Sequence, residues 1–293
     1  MRALAEFIMR GRMQATLVVV GSAVLPLLFW LCAASGSLVL LRRGMSDAFG
    51  ILVWALLPAL VWWFLGDPSI LLIMLGTLIL AQVLRVTGSW ANTLLASVVL
   101  GGMFALILAA TSAELIEVLA DTIRKMLQQF ADESQMSVEQ LANLHESLIP
   151  LVTGLLASSL QVACLLCLVL ARYWQGVLYN QGGFGREFRA VRLKWPVAVA
   201  LLLGFLVMPK LGVQAAVFAP ICTVPLLFAG LALGHGLIEM KRLSSFWLIG
   251  MYVAVFMLGN LICLLAVVDG LFDFRGRLAR KSDVGSGPAN GEG

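Results

Sequence analysis

Charge is what this chain has least of. Only 12% of its 293 residues are Asp, Glu, Lys or Arg, against about a quarter in ordinary soluble domains. That scarcity excludes a soluble globular fold, which must cover its surface with polar side chains. Histidine is nearly missing as well: His145 and His235 are the whole supply. The topology read below puts them on opposite sides of a membrane. Neither then has a nucleophile and a carboxylate around it, so no catalytic residues are assigned and no enzyme is expected. No GxxxxGK[ST] motif occurs, so there is no P-loop, and any transport must draw on an external motor or a gradient.

Cysteine is sparse and badly placed for chemistry. Cys32, Cys164, Cys167, Cys222 and Cys263 all lie in apolar segments. Cys164 and Cys167 have the spacing of a redox or metal pair, but two cysteines are half a zinc site and no histidine is near in sequence. They read as small packing residues, and no metal or cofactor is expected. The net charge of +4 matters through its location rather than its sum, and no nucleic-acid partner is expected.

What is present is hydrocarbon. Hydrophobic residues make up 61% of the chain, with a mean hydropathy of +0.97. About 20 apolar residues make one helical span. The fold class is therefore all-α: a polytopic transmembrane bundle of about 8–10 membrane segments, with the lipid bilayer as its first partner. Spans fall at 48–66, 68–86, 91–111, 148–172 and 213–239, with a short one at 195–208. Residues 13–41 and 246–273 are too long for one upright helix and too short for two. Each is one tilted span or a hairpin of short helices, broken near Pro26 in the first and Gly259-Asn260 in the second.

Charge separates these readings, because cytoplasmic flanks carry the excess of Lys and Arg. With both segments as hairpins, every basic residue except Arg124, Lys125 and Lys210 falls on one side, and both termini are cytoplasmic. The N-terminus reads as retained: Glu6 sits where a signal peptide would be basic, and the apolar run to Leu41 is longer than a signal core of about 7–15 residues. The membrane domain then covers 1–275. It includes an extracytoplasmic helical hairpin at 112–147 and a basic cytoplasmic loop at 173–194. The tail, 276–293, is polar and reads as disordered.

In the outer hairpin, Leu115, Leu119, Ile123, Leu127 and Phe130 recur at helical spacing. Ser137-Val-Glu-Gln140 reads as a capping box. Seven acids against two bases in 112–147 suit a solvated face or a binding lid. The basic loop reads NQGGFGREFRAVRLKWP over 180–196, with a short helix at roughly 185–194. Arg186, Arg189 and Arg192 on it are candidates for contact with the anionic membrane surface or with a partner protein. A phosphate cradle is the third reading.

Polar groups at membrane depth are costly and therefore functional candidates. Gln161, Gln214 and Asn260 are candidate substrate-binding residues. His235 and Glu239, four apart, form a candidate intramembrane polar pair, with structural capping as the alternative. Pro220 and Pro225 free backbone carbonyls, which suits a cavity lined by 214–228 or a kinked helix. The pairs Ala55/Ala59, Ser97/Gly101, Ala105/Ala109, Ala215/Ala219 and Gly230/Gly234 let helices approach closely.

Three stretches carry a family likeness: Leu41-Arg42-Arg43-Gly44, Leu233-Gly-His-Gly-Leu-Ile-Glu-Met-Lys-Arg242 and Asp269-Gly-Leu-Phe-Asp-Phe-Arg275. With them the chain resembles the YybS-like bacterial membrane proteins, a family of unknown function; GGFGREFRAVRL is similar to the loop of proteobacterial members. That family is distantly similar to the substrate-capturing S-components of energy-coupling-factor transporters. The resemblance implies a bacterial inner-membrane bundle that captures a small molecule and borrows separate ATPase and coupling subunits. The chain departs from the S-component pattern in its additional spans and acidic outer hairpin. The alternative is a non-catalytic scaffold or assembly partner of an envelope complex.

Overall fold

The computed structural model describes residues 1–134 and 138–272, with side chains outside 130–145. Among the described residues there are twelve α-helices, two 3-10 turns and no strand. Seven segments are long and apolar enough to cross a membrane: Pro26–Arg43, Met45–Phe64, Ser69–Thr87, Trp90–Thr111, Glu146–Tyr179, Val213–Met240 and Phe246–Phe272. Two shorter apolar helices, Arg12–Val24 and Trp195–Leu211, join them. The fold is an all-α polytopic helical bundle. Its helices divide into two units, Met1–Phe184 with Gly204–Val224, and Gly185–Leu203 with the described part of Pro225–Gly293.

The first unit opens with α1 (Arg2–Arg10), a short amphipathic helix that buries Ala5 and Ile8. Then α2 (Arg12–Val24) and α3 (Phe29–Arg43) are separated by a 3-10 turn starting at Pro26. The chain reverses there: Arg43, at the end of α3, donates to the Met9 carbonyl beside the start of α2 (2.7 Å). Residues 13–41 are thus a hairpin. In α4 (Met45–Phe64), Asp47 pairs with Arg12 at one end and Trp62 donates to the Val24 carbonyl at the other (3.2 Å). α2 and α4 therefore run parallel, opposite to α3.

α5 (Ser69–Thr87) returns: Arg85 near its end donates to the Leu40 carbonyl near the end of α3 (2.5 Å). α6 (Trp90–Thr111) starts at Ser89, whose hydroxyl accepts the Asn92 N–H, and ends at Ser112. α7 (Ala113–Ser134) is a separate helix packed against α8. α8 (Val138–Tyr179) runs 42 residues without interruption, ending where the Tyr179 ring lies under the Arg42 guanidinium (4.2 Å). One edge of this unit thus carries Arg12, Arg42, Arg43 and Arg85. The opposite edge carries Trp62, the α4–α5 turn and the start of the α7 helix.

α3 is the central helix. Every residue from Cys32 to Leu41 is buried among α2, α4, α5 and α8. The run Cys-Ala-Ala-Ser-Gly-Ser makes this possible, because small side chains let backbones approach where lipid supplies no hydrophobic drive. α8 uses Gly154 similarly: a Cβ there would meet the Val217 carbonyl oxygen and Pro220 Cγ.

The second unit holds α9 (Gly183–Arg189) apart from its first residues, the first half of α10 (Trp195–Leu211), the second half of α11 (Phe218–Met240) and α12 (Phe246–Phe272). The short helix of the basic loop is shorter than the sequence spacing predicts and stops at Arg189. α12 is continuous except at Leu258, where φ −130°, ψ 36° breaks the helix. Both ends of this bent helix reach one side. Glu239, just before α12 begins, pairs with Arg189, and the carbonyls of Asp269 and Gly270 accept from Arg192 (3.0 and 3.1 Å). Between them Met251 lies against Gly234 and Ile262 against Gly230. The segment enters, bends at Leu258 and returns, one residue before the predicted break at Gly259-Asn260. The capping box at 137–140 and His145 lie outside the described side chains, and the tail 276–293 lies outside the described residues.

Candidate functional site

Where α4 ends, the chain turns through Gly66-Asp67-Pro68-Ser69. Gly66 holds φ 96°, a conformation open to glycine at little cost. The Asp67 N–H bonds back to the Trp62 carbonyl (2.9 Å), and its Oδ1 accepts the Ser69 N–H (2.9 Å). The carboxylate is thereby pinned at the start of α5, where free N–H groups favour negative charge. Beside it lies a half-open cleft of about 240 Å³, lined by Asp67 and Ser69 together with Leu108, Ser112, Leu115 and Ser159 among others. Ser112 is the break between α6 and α7, and Leu115 comes from the first turn of α7.

The chemistry of this wall is simple. It offers one carboxylate and three hydroxyls on a leucine surface, and among the described residues no cationic side chain lines it. Ser159 Oγ donates to the Leu156 carbonyl (2.7 Å), which leaves its oxygen free to accept. Such a wall can hold a neutral or positively charged group and repels an anion. Ligand pockets commonly run about 300–1,000 Å³, so this one suits a small molecule.

Below the cleft, on the same helix, Gln161 is fully buried. Its Nε2 donates to Ser97 Oγ (2.9 Å), and that hydroxyl donates onward to the Leu94 carbonyl (2.7 Å). Gln161 Oε1 has no hydrogen-bond partner and lies where a Cβ on Gly101 would meet it at 2.9 Å. Gln161 therefore faces α6 within the packing and does not line the cleft. Gln214 is exposed on the 3-10 turn at Val213–Val217. Asn260 is exposed on α12 in the second unit. The three candidates occupy three different environments.

His235 and Glu239 share a face of α11 but take separate partners. His235 Nδ1 lies 2.8 Å from the Leu231 carbonyl. A carbonyl only accepts, so Nδ1 carries the proton. Its Nε2 faces the Tyr252 hydroxyl at 3.3 Å, and the rings of Phe188 and Tyr252 meet the imidazole edge to face (5.6 and 5.8 Å). Glu239 Oε2 pairs with Arg189 Nε (2.5 Å). Arg192 Nε stands 4.0 Å from the buried Asp269 carboxylate and caps the end of α12. Two of the three loop arginines thus fasten α9 and the following segment to α11 and α12, while Arg186 is exposed.

The five cysteines are buried and free of disulfides. Cys164 Sγ lies 3.6 Å from the Ile73 carbonyl. Among the described residues no group of three or more His, Cys, Asp or Glu could hold a metal. Sequence reasoning did not single out Asp67, Ser69, Ser112 or Ser159. The only signal was a Gly-Asp-Pro-Ser turn between two spans, which reads as an ordinary helix start. No family model matches the chain, no curated protein matches it, and no solved structure matches it.

Proposed function

We propose that this protein captures a small neutral or cationic molecule in the cleft between the α4–α5 turn and the start of α7. The observation that carries the reading is the pinned Asp67 carboxylate beside a half-open, serine-dotted hollow with no cation among the described residues of its wall. The positive-inside rule assigns the arginine-bearing edge of the first unit to the cytoplasm. The cleft then faces outward, next to the acidic helix α7. This orientation fits a bacterial inner-membrane capture component resembling the S-components of energy-coupling-factor transporters, served by separate ATPase and coupling subunits. Among the loop arginines, Arg186 is the one free to meet such a subunit.

A thermal-shift screen of the full chain in detergent tests this, with organic ammonium ions and small neutral polyols set against organic carboxylates. Stabilisation by a cation or polyol, lost in Asp67→Asn, is expected. Stabilisation by carboxylates, or by any ligand equally in Asp67→Asn, would sink the assignment. The scaffold reading is favoured by a different observation, the exposed α12 face with Phe246, Trp247, Phe256 and Met257. Recovery of envelope proteins with the wild type, lost in Arg186→Glu, would support it.

A further inference from the structure

A second hollow, of about 360 Å³, lies between α4 and α5. Phe49, Leu52, Val53, Leu75 and Ile79 line it, and Gln82 is its single polar side chain among the lining residues. Phe49, Val53, Leu75 and Ile79 are exposed, so the groove opens sideways from two membrane-crossing helices. Its other wall residues run from Met45 along α4 and from Met74 to Val83 along α5. At 1.5 Å per residue that is a trough about 14–16 Å long, comparable with half the hydrocarbon thickness of a bilayer, about 30 Å.

One end of the trough is charged. Arg85 reaches across to Gly44, the residue before Met45, where a Cβ would meet Nη1 at 2.7 Å and Nη2 at 3.0 Å. Gly44 has φ 101°, and its lack of a side chain is what admits the guanidinium. Arg85 uses Nη1 to hold the Leu40 carbonyl and remains exposed; it stands three residues along α5 from the groove-lining Gln82, so its other donors are available at this end of the groove. Asp47 at the same end is already paired with Arg12. One helical turn inward, Gln82 has a buried amide oxygen with no hydrogen-bond partner.

The geometry points to a binding site for one anionic phospholipid. The phosphate rests on the Arg85 guanidinium, whose planar fork matches two phosphate oxygens. Gln82, about 4.5 Å deeper along the helix, meets the glycerol-ester level. A rotation about its last bond brings the amide N–H onto an ester carbonyl, which removes the mismatch of the buried oxygen. One acyl chain fills the trough along Val53, Leu75 and Ile79. Charge complementarity selects the occupant: a zwitterionic lipid gains the groove but brings an ammonium group toward arginine.

The test is the thermal stability of the full chain in detergent with phosphatidylglycerol, with phosphatidylcholine of the same acyl chains, or with inorganic phosphate. Phosphatidylglycerol at a hundredfold excess over Kd is expected to raise Tm by about 5 °C or more, with phosphatidylcholine and phosphate giving at most a minor part of that. Arg85→Gln should abolish the difference between the two lipids, and Arg85→Lys should keep part of it. Ile79→Trp leaves the charge in place and fills the trough, so it should remove most of the rise. Should Arg85→Gln fail to fold, Ile79→Trp decides alone. An unchanged rise in Ile79→Trp, an equal rise with phosphatidylcholine, or an equal rise with phosphate alone would overturn the site.

Discussion

Replacing Gly154 by alanine puts a methyl group where α8 lies against the start of α11. The new Cβ would meet the Val217 carbonyl oxygen and, at 2.8 Å, Pro220 Cγ. One of those atoms is backbone and the other belongs to a ring, so neither side chain can rotate away. Overpacking of this kind costs about 1–3 kcal/mol. Alanine in a helix recovers about 0.5–1 kcal/mol of the entropy that glycine loses on folding. The net loss is then at most about 2.5 kcal/mol, centred near ~1 kcal/mol. At ~2–4 °C per kcal/mol for a chain of this size, Tm falls by ~2–4 °C at the centre and by up to ~10 °C at the limit.

Gly50 on α4 supplies the control, since a Cβ there meets nothing within 4 Å. Gly50→Ala keeps only the entropy gain and should raise Tm by ~1–4 °C. The assay is built into the molecule. All five cysteines are buried, so a thiol-reactive dye reports unfolding of the detergent-solubilised full chain. The reasoning is refuted if the two alanine variants shift Tm in the same direction by similar amounts.

Other expectations follow from particular contacts. Ser97→Ala takes the acceptor from a fully buried amide and should cost about 1–3 kcal/mol, whereas Gln161→Leu should cost well under 1 kcal/mol because Ser97 keeps its bond to Leu94; the double variant should be less harmful than the sum, read by the same dye assay. Arg192→Ala removes two hydrogen bonds from a charged group at the end of α12 and should cost about 1.5–3 kcal/mol. Arg189→Ala breaks a pair whose Glu239 side chain is 57% exposed and should cost at most about 1 kcal/mol, an effect that fades in high salt. Reversing all three loop arginines therefore unfastens the second unit as well as changing its surface, so Arg186→Glu alone is the clean probe of docking. Asp67→Asn should weaken the start of α5 by no more than about 1 kcal/mol while abolishing stabilisation by cationic ligands, which separates ligand loss from unfolding.

Most of the architecture was legible because the bilayer imposes lengths and satisfied backbones on any chain that crosses it. The helices at 45–64, 69–87, 90–111 and 146–179 follow from apolar length, and the reversal at Pro26 from charge placement. The bend at Leu258 followed from the same charge argument, displaced by one residue. The helix α1 was missed because nine residues with two arginines and a glutamate look like a polar leader. Its apolar stripe at Ala5 and Ile8 matters only once α2 and α8 are there to cover it.

The candidate sites were far less legible. Gln161, Gln214 and Asn260 stood out because amides at membrane depth are expensive, yet expense does not say which side chain faces a hollow. Asp67 with Ser69, Ser112, and Ser159 lie on three stretches of chain that approach only when α5, α6 and α8 stand side by side. The groove beside Gln82 and Arg85 is likewise a property of two packed helices. Composition and periodicity determined that this chain is a helical membrane bundle with a basic and an acidic edge, because those are sums over local residues. Which polar groups share a cavity was decided by the tertiary structure alone. A hollow is bounded by residues distant in sequence, and its existence depends on how closely small residues such as Gly36, Gly101 and Gly154 let the helices approach.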